Sequence, residues 1–151
     1  MNMETFRKAY GYFIRSTAQG SAQLLVFTAP DSSLRFPGGT VDDGEDLLEG
    51  LQRELREETG ISTFKLLRKL GAHAYYKPDV RKYVERHDYL LQATTPLPDS
   101  FSFTVQSEDK DNGMVFVYHW MNLEEIYQLD WEFKEYLAAE YIPEFFSARG
   151  D

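Results

Sequence analysis

The chain has 151 residues and a formal net charge of −9, from 25 acidic and 16 basic side chains. Hydrophobic residues make up 42% and charged residues 27%, which is typical of a globular protein, and the length predicts one domain over residues 1–151. The acidic balance disfavours general nucleic-acid binding, although a bound cation would still allow an anionic substrate. Because cysteine is absent, disulfides, thiolate zinc sites and a cysteine nucleophile are excluded.

No segment of the sequence predicts secretion or membrane insertion. Residues 1–8 lack the apolar core of a secretory signal. The longest apolar runs, Leu24–Phe27 and Met114–Tyr118, are far shorter than the ~20 residues of a membrane helix. We therefore predict a cytoplasmic protein with no membrane partner. The sequence leaves the oligomeric state open, a homodimer included.

The first third of the chain predicts two strands and two turns. Ala9–Arg15 and Gln23–Thr28 are rich in aromatic and branched residues, and Gln19–Ser21 between them is a turn sequence. Further turn signals follow at Pro30–Ser33 and Pro37–Gly39. A strand pair followed by two turns is therefore expected before residue 45.

A helical pattern follows over residues 45–59. Gly60 is a natural C-terminal stop for this helix. Four leucines recur at helical spacing on one face, namely Leu47, Leu48, Leu51 and Leu55. The sequence thus predicts an amphipathic helix whose leucine face packs on a core.

The second half predicts a mixture of strands and helices. Three strands are expected, over Phe64–Leu70, Tyr83–Ala93 and Gly113–Met121. Asn122 followed by Glu125 is typical of a helix cap with its reciprocal glutamate. Apolar residues between 131 and 142 indicate a C-terminal helix that Pro143 bends or ends. Strands on both sides of one helix predict an α/β (α+β) fold with a mixed sheet covered by helices.

Three glutamates gather on one side of the helix beside the leucine face. Glu54, Glu57 and Glu58 stand at i, i+3 and i+4, where Cβ atoms lie ~5–6 Å apart. At the rim of a core such carboxylates raise one another's pKa values unless a cation holds them. Their oxygens suit Mg²⁺, Mn²⁺ or Ca²⁺. The alternative is a solvated charged face, in which Arg53 simply forms i,i+4 ion pairs with Glu49 and Glu57.

The segment from Gly39 to Ile61 resembles the signature of the Nudix hydrolases, with every position and both spacings matched. The matching residues are Gly39, Glu45, Arg53, Glu54, Leu55, Glu57, Glu58, Gly60 and Ile61. The resemblance implies a Nudix-type α/β/α sandwich with a mixed β-sheet. It also implies hydrolysis of a nucleoside diphosphate linked to another group, with Mg²⁺ (or Mn²⁺) as cofactor and a small nucleotide as substrate.

The resemblance also implies roles for individual residues. Glu54, Glu57, Glu58 and a backbone carbonyl of Gly39 or Gly38 would bind the metal. Arg53 and Glu45 would orient the metal-binding glutamates. The general base would be Glu54 or, as in some relatives, a loop carboxylate, for which Glu108 in the acidic segment 107–111 is the alternative. A solvated acidic turn remains the other interpretation of Glu108.

The sequence leaves open which substrate is bound and whether the chain hydrolyses it. A Nudix-fold module that binds a nucleotide without hydrolysing it is the alternative function. The basic segment 77–86 is interpreted either as a contact to substrate phosphates or as a solvated strand edge. Several aromatic residues qualify as stacking platforms for a base, namely Tyr12, Phe36, Tyr75 and Tyr76.

Overall fold

The architecture is a mixed eight-stranded sheet with helical structure on both faces, described by a computed structural model over residues 5–146. The strands are β1 Thr5–Ser16, β2 Ala22–Thr28, β3 Leu34–Arg35, β4 Gly38–Val41, β5 Phe64–Lys77, β6 Lys82–Ala93, β7 Ser100–Thr104 and β8 Val115–Met121. The main order is β5-β6-β1-β2-β8-β7, with β3 beside β2 and β4 beside β1. β1 and β6 are parallel and the other pairs antiparallel, so the predicted mixed sheet is confirmed.

Helical structure is sparse within the described residues. The helices are α1 Leu47–Thr59, α2 Pro143–Phe146 and two 3-10 helices, Leu123–Gln128 and Trp131–Phe133. Over residues 5–146 no helix combines the length and apolar character needed to cross a membrane. The helices cover the two faces of the sheet, which gives the expected α/β/α sandwich.

Strand β1 organises the sheet because it changes partner along its length. Its first part, Arg7–Tyr10, pairs with β4, whereas its last part, Ile14–Ser16, pairs with β2. Between them the Gly11 N–H donates to the Pro37 carbonyl at 2.9 Å. This change of partner fixes Gly38 and Gly39 at the middle of the sheet, next to α1.

Two hydrophobic cores lie on opposite faces of the sheet. The α1 face buries Leu51 and Leu55 completely against residues such as Phe13 and Tyr118. The other face is covered by the C-terminal segment, whose side chains Phe133 and Ile142 are 3% and 0% exposed. Full burial of large apolar side chains stabilises both layers by roughly 1.5–3 kcal/mol for each side chain.

Helix α1 agrees with the prediction except at its start and at one leucine. It begins at Leu47 rather than residue 45, after Asp46 in extended conformation, and it ends at Thr59. Gly60 follows with φ 79°, the left-handed conformation in which glycine avoids the Cβ penalty. Leu48 is 41% exposed and lies outside the buried face.

The predicted C-terminal helix over residues 131–142 is wrong. A 3-10 helix at Trp131–Phe133 is followed by turns, and Pro143 begins α2 instead of ending a helix. Proline fits the first position of a helix because that N–H has no partner there. The turns let the ring of Tyr136 reach Gly71, while Trp131 is 75% exposed. Tertiary packing of individual aromatic side chains thus outweighs the helical pattern.

The remaining differences concern strands and one cap. β3, β4 and β7 were not expected, and β5 runs on to Lys77 instead of ending at Leu70. Glu125 accepts a hydrogen bond from the Asn122 backbone N–H at 2.9 Å, as the predicted cap requires, although the helix that follows is 3-10.

Candidate functional site

A cleft of about 700 Å³ opens where β1, β4, α1 and the loop between β7 and β8 meet. We call it the acidic cleft. The residues that define it are Gly38, Gly39, Glu54, Glu58, Glu108 and Asp109. An adjoining cavity of about 570 Å³ is lined by Arg53, Glu57, Glu108 and Asp109. The fold therefore brings the expected site residues other than Glu45 to one place, from a helix, a strand and a loop.

The loop is attached to the end of α1 by backbone and side-chain contacts. The Gln106 N–H donates to the Glu57 carbonyl at 2.9 Å, and the Tyr118 hydroxyl donates to the Glu58 carbonyl at 2.9 Å. Within the loop, the Ser107 N–H donates to Asn112 at 3.0 Å. These bonds hold the segment 107–111 over the carboxylates of α1.

Arg53 connects the glutamates of the site. Its guanidinium forms two hydrogen bonds with Glu45, at 2.9 and 3.0 Å, and donates to the Thr40 carbonyl at 2.9 Å. Its Nη1 donates to Glu54 at 3.1 Å and to Glu57 at 3.3 Å. The planar fork of arginine suits such paired contacts. Arg53 and Glu45 thus fix the orientation of two site carboxylates, and Glu45 itself lies outside the acidic cleft.

Two of the carboxylates are buried, which is unusual for ionisable groups. Glu54 is 5% exposed and Glu58 is 7% exposed. Burial, together with the negative charge of Glu57, raises the pKa of Glu54 from 4.5 to about 7, against the opposing effect of Arg53. Burial also raises the pKa of Glu58 well above its ordinary range, although Glu58 accepts a hydrogen bond from the Gly38 N–H at 3.2 Å. The site therefore holds more negative charge than its own cations neutralise.

A close group of three carboxylates includes one residue that the sequence analysis missed. Oxygen atoms of Glu54, Glu57 and Asp109 lie within 4.8 Å of one another. Glu58 stands beside this group and not within it, since one of its oxygens faces the Gly38 N–H. Glu108, the loop carboxylate singled out from the sequence, lines the cleft next to Asp109. The acidic run at 107–111 was the available signal, and only the loop conformation distinguishes Asp109.

The glycine pair allows the backbone to approach the carboxylates closely. A Cβ atom added to Gly39 would overlap the carboxylate of Glu54, and one added to Gly38 would overlap the backbone of Ala9 and Tyr10. Gly38 also has φ 152°, which L side chains rarely adopt. Glycine at both positions is therefore required for the backbone of β4 to border the cleft.

The donor set fits a hard divalent cation. Carboxylate and carbonyl oxygens are the ligands that Mg²⁺ and Mn²⁺ prefer. The raised pKa values of Glu54 and Glu58 indicate that a cation at this position would relieve unfavourable burial of charge. These residues, with Glu57 and Asp109, could hold such an ion.

A second cavity, of about 290 Å³, adjoins the acidic cleft and shares Gly38 and Glu58 with it. We call it the aromatic cavity. Its aromatic lining consists of Tyr10, Phe27, Phe36, Phe116 and Phe133. Two lysines, Lys8 and Lys77, also line it. Arg35 and three carboxylates, those of Glu58, Asp111 and Glu132, line it as well, so the cavity offers ring surfaces and charged groups of both signs.

A buried ion pair lies beneath Tyr10, on the face of the sheet that carries the C-terminal segment. Arg86 and Asp88 are 1% and 0% exposed, and they are joined by hydrogen bonds of 2.9 Å from both Nε and Nη2. The Tyr12 hydroxyl also donates to Asp88. The guanidinium packs on the rings of Tyr10 and Phe133, at 4.3 and 4.2 Å from their centroids. Arg86 is therefore a core residue and does not belong to a solvated strand edge, as one interpretation of segment 77–86 required.

The aromatic residues proposed as stacking platforms differ in accessibility. Tyr12 and Phe36 stack on each other at 3.7 Å and are 0% and 1% exposed, so a base cannot enter between them. Tyr76 is 41% exposed and contacts Tyr83 edge-on. Tyr75 is half-buried, with its ring 5.8 Å from that of His73. Tyr12 is therefore wrong as a platform, and Phe36 contributes at most one edge to the aromatic cavity.

Comparison with known proteins identifies the family. The family model described as "NUDIX domain" matches residues 5–143, which is nearly all of the described chain. The chain belongs to the NUDIX domain family. The resemblance inferred from the segment Gly39–Ile61 is thereby confirmed.

Individual relatives agree with this membership. The RNA pyrophosphohydrolase of Bartonella bacilliformis is 26% identical over 119 residues, which cover 74% of this chain and 70% of the relative. The U8 snoRNA-decapping enzyme of Homalodisca vitripennis is 34% identical over 73 residues, 48% of this chain and 39% of the relative. The matched part of this NUDIX chain thus spans about two fifths of the decapping enzyme's length.

Solved structures support the fold. A NUDIX hydrolase from Nitrosomonas europaea has a TM-score of 0.62, with 97% of this chain and 91% of that chain covered. Its sequence identity is only 17%, so the likeness is one of architecture. The two chains therefore share the α/β/α sandwich although their sequences are dissimilar.

Proposed function

We propose that this NUDIX chain is a divalent-metal-dependent pyrophosphohydrolase. Its substrate is a nucleoside diphosphate linked to another group, and its products are a nucleoside monophosphate and a phosphorylated compound. The observation that carries the proposal is the burial of Glu54 and Glu58 beside Glu57, with their pKa values raised. Like charges arranged in this way are favourable only when a cation joins them.

The metal is assigned to side chains and backbone of the acidic cleft. Glu54, Glu57 and Glu58 would hold Mg²⁺ or Mn²⁺, with the backbone carbonyl of Gly39 or Gly38 as a further ligand; oxygen atoms of Asp109 lie close to those of Glu54 and Glu57. When bound, the ion supplies charge neutralisation of the diphosphate and Lewis-acid activation of water. Arg53 and Glu45 act as positioning residues, because they hold Glu54 and Glu57 through the hydrogen bonds described above.

The reaction needs one proton acceptor near the attacking water. The water oxygen forms a bond to phosphorus, the bridging P–O bond breaks, and the leaving phosphate keeps its electron pair. A carboxylate takes the proton from the water. Glu54 is one candidate for this base, because its carboxylate lines the acidic cleft beside Glu58 and the glycine pair. Glu108 is the other, because it lines the same cleft.

The activities named in two relatives support cleavage of a phosphoanhydride bond. One relative is called an RNA pyrophosphohydrolase and another a decapping enzyme. The chain matches only part of the decapping enzyme. We therefore propose that RNA 5′ ends are tested as substrates together with small nucleotides. The net charge of −9 disfavours binding of a long RNA, because non-specific RNA binding depends on an excess of basic side chains.

A turnover screen tests the proposal. The purified chain is incubated with Mg²⁺ or Mn²⁺ and with nucleotide sugars, dinucleoside polyphosphates, nucleoside triphosphates and 5′-capped RNA, and the released phosphate and nucleoside monophosphate are measured. We expect turnover of at least one class, which EDTA abolishes. No turnover with either metal would contradict the proposal and favour a nucleotide-binding module without catalysis.

A further inference from the structure

Arg7, on β1, holds the turn that leads from β4 towards α1. Arg7 pairs with Val41, the last residue of β4, so its side chain reaches the residues that follow. Its Nη2 atom donates to the Asp42 carbonyl and to the Glu45 carbonyl, both at 2.9 Å. These carbonyls belong to the two ends of the turn, which the Glu45 N–H closes by donating to the Asp42 carbonyl at 3.0 Å. The Arg7 guanidinium therefore ties both ends of the turn to the sheet.

The turn presents the carboxylate of Glu45 to Arg53. That carboxylate accepts hydrogen bonds from the Asp42 N–H at 2.9 Å and from Arg53 at 2.9 and 3.0 Å. Only 18% of the Glu45 side chain and 21% of the Arg53 side chain are exposed, so water competes little for these bonds. The hydrogen bonds from Arg53 and, to a smaller extent, the charge of Arg7 lower the pKa of Glu45. The place of Arg53 thus depends on the conformation of the turn.

Arg53 extends these hydrogen bonds to the acidic cleft. Its Nη1 atom donates to Glu54 and Glu57, two of the proposed metal-binding residues. Among residues 5–146, those that line the acidic cleft, the cavity beside it and the aromatic cavity do not include Arg7. An effect of Arg7 on the site must therefore pass through the turn, because Arg7 does not reach the bound ligand.

We propose that Arg7 is a positioning residue for the metal site, because it fixes the turn that holds Glu45 against Arg53. This proposal rests on the proposed function, since it assumes that the carboxylates of the acidic cleft bind a divalent cation. Residues that orient metal ligands typically contribute roughly 10- to 100-fold to metal affinity. Arg7 lies one step further from the metal, so its contribution should be smaller, at about fivefold.

Hydrogen exchange measured by NMR tests the positioning without metal. In EDTA, the exchange rate of the Arg53 Nε–H, which donates to Glu45, is divided by that of the Leu91 backbone N–H in the core strand β6. We expect Arg7→Met to raise this ratio about tenfold or more, because the turn opens locally. In Arg7→Lys the ratio should stay within about threefold, since a single nitrogen makes both bonds and an ammonium group has enough donors. An unchanged ratio in Arg7→Met would overturn the proposal.

The matched control is Arg68→Met. Arg68 also lies on a strand, donates to a distant backbone carbonyl, that of Tyr141 at 2.8 Å, and forms an ion pair with Glu144. Its substitution removes similar contacts without affecting the turn, so the exchange ratio should stay within about twofold. A rise as large as that in Arg7→Met would show a general loss of stability and would overturn the proposal.

Binding of Mn²⁺ to the substrate-free chain tests the consequence for the metal. The concentration of free Mn²⁺ is followed by electron paramagnetic resonance, after thermal melting has shown that each variant is folded. Arg7→Met should raise Kd about fivefold, whereas Arg7→Lys and Arg68→Met should leave Kd within about twofold. Equal Kd values in Arg7→Met and the unmodified chain would overturn the role of Arg7 at the metal site.

A double substitution tests the route through Glu45. If Arg7 acts through this carboxylate, adding Arg7→Met to Glu45→Gln should change Kd for Mn²⁺ by less than about twofold. Additive effects of the two substitutions would overturn the route. If the unmodified chain binds no Mn²⁺, the proposed function fails, and the exchange ratio alone decides whether Arg7 positions Arg53.

Discussion

Two clusters of buried charged side chains differ in how their charges are balanced. In the cluster of Arg86 and Asp88, opposite charges share hydrogen bonds of 2.9 Å, and both side chains are at most 1% exposed. In the acidic cleft, Glu54 and Glu58 are nearly as buried, at 5% and 7%, yet burial raises the pKa of both carboxyl groups, and the negative charge of Glu54 raises the pKa of Glu58 further.

This difference distinguishes charged side chains that are buried as part of the core from charged side chains that are buried beside a cleft that can take up a ligand. The ion pair of Arg86 satisfies its own donors and keeps two rings in place, so it needs nothing from outside. The carboxylates of α1 lack sufficient counter-charge and face a cleft bordered by two glycines that admit no side chain. We therefore propose this incompletely balanced cluster as the binding site.

The largest effect is expected when the acidic cleft loses one carboxylate charge. Glu57→Gln and Glu58→Gln should each lower kcat by roughly 100- to 1,000-fold, comparable to loss of one electrostatic group in other active sites. The fold should survive, because removing a charge from a crowded acidic site costs little stability. Turnover assays and thermal melting of the same preparations provide the measurement.

Glu49→Gln is the matched control for these variants. Glu49 lies on the same helix but is exposed. Its substitution should leave kcat within about twofold. Full activity in both Glu57→Gln and Glu58→Gln would remove the acidic cleft from the mechanism.

The second-largest effect is a loss in the free energy of unfolding when the Arg86–Asp88 pair is broken. Asp88→Asn leaves the Arg86 guanidinium buried without its counter-ion, so the free energy of unfolding should fall by about 3–5 kcal/mol. Urea denaturation measures this loss. The control is Asp99→Asn, which breaks the ion pair with Arg15, where the aspartate side chain is 93% exposed, and should cost less than about 1 kcal/mol. Similar losses in both variants would contradict the distinction between the clusters.

The third effect is a pH dependence that the acidic cleft imposes on the metal-free chain. The pKa of Glu54 is about 7 in the folded chain and 4.5 ordinarily, so the folded state binds more protons between these pH values. The free energy of unfolding therefore falls as pH rises from 4.5 to 7, by on the order of 3 kcal/mol for this group. Urea denaturation in EDTA of the unmodified chain and of Glu54→Gln isolates this contribution.

Glu54→Gln should be the more stable protein at pH 8, and the difference between the two proteins should disappear near pH 4. Addition of Mg²⁺ at pH 8 should stabilise the unmodified chain, by about 2.7 kcal/mol at a concentration of one hundred times Kd. The same pH profile in both proteins would show that Glu54 titrates normally.

The smallest effect separates the two candidates for the general base. Glu108 is exposed and lies outside the close group of Glu54, Glu57 and Asp109. If Glu54 is the base, Glu108→Gln should lower kcat by less than about fivefold and leave the pH–rate profile unchanged. A loss of 100-fold or more, with the acidic limb of the profile removed, would assign the base to Glu108 instead.

Much of the acidic cleft follows from the sequence because it lies on one helix. The spacing of Glu54, Glu57 and Glu58 fixes their common side, and the glycine that ends α1 is evident at Gly60. Asp109 and Lys8 could not be found in this way. Their place in the cleft depends on the loop between β7 and β8 and on the change of partner along β1, which are long-range features.

The errors of sequence interpretation arise where tertiary packing decides the conformation. The C-terminal segment carries apolar residues at helical spacing, but Phe133 reaches the core from a short 3-10 helix, and Tyr136 and Ile142 reach it from the irregular segment that follows. Arg86 belongs to a basic segment whose composition is typical of a solvated strand edge. It is nevertheless buried, because Asp88, two residues later, supplies its counter-charge. In both cases the partner lies outside the local pattern.

The central claim is that the acidic cleft holds a divalent cation, and crystals soaked in Mn²⁺ test it most directly. The anomalous difference map should show a peak within about 2.5 Å of carboxylate oxygens of Glu54, Glu57 or Glu58. Absence of a peak, with these three side chains directed apart into solvent, would contradict the account.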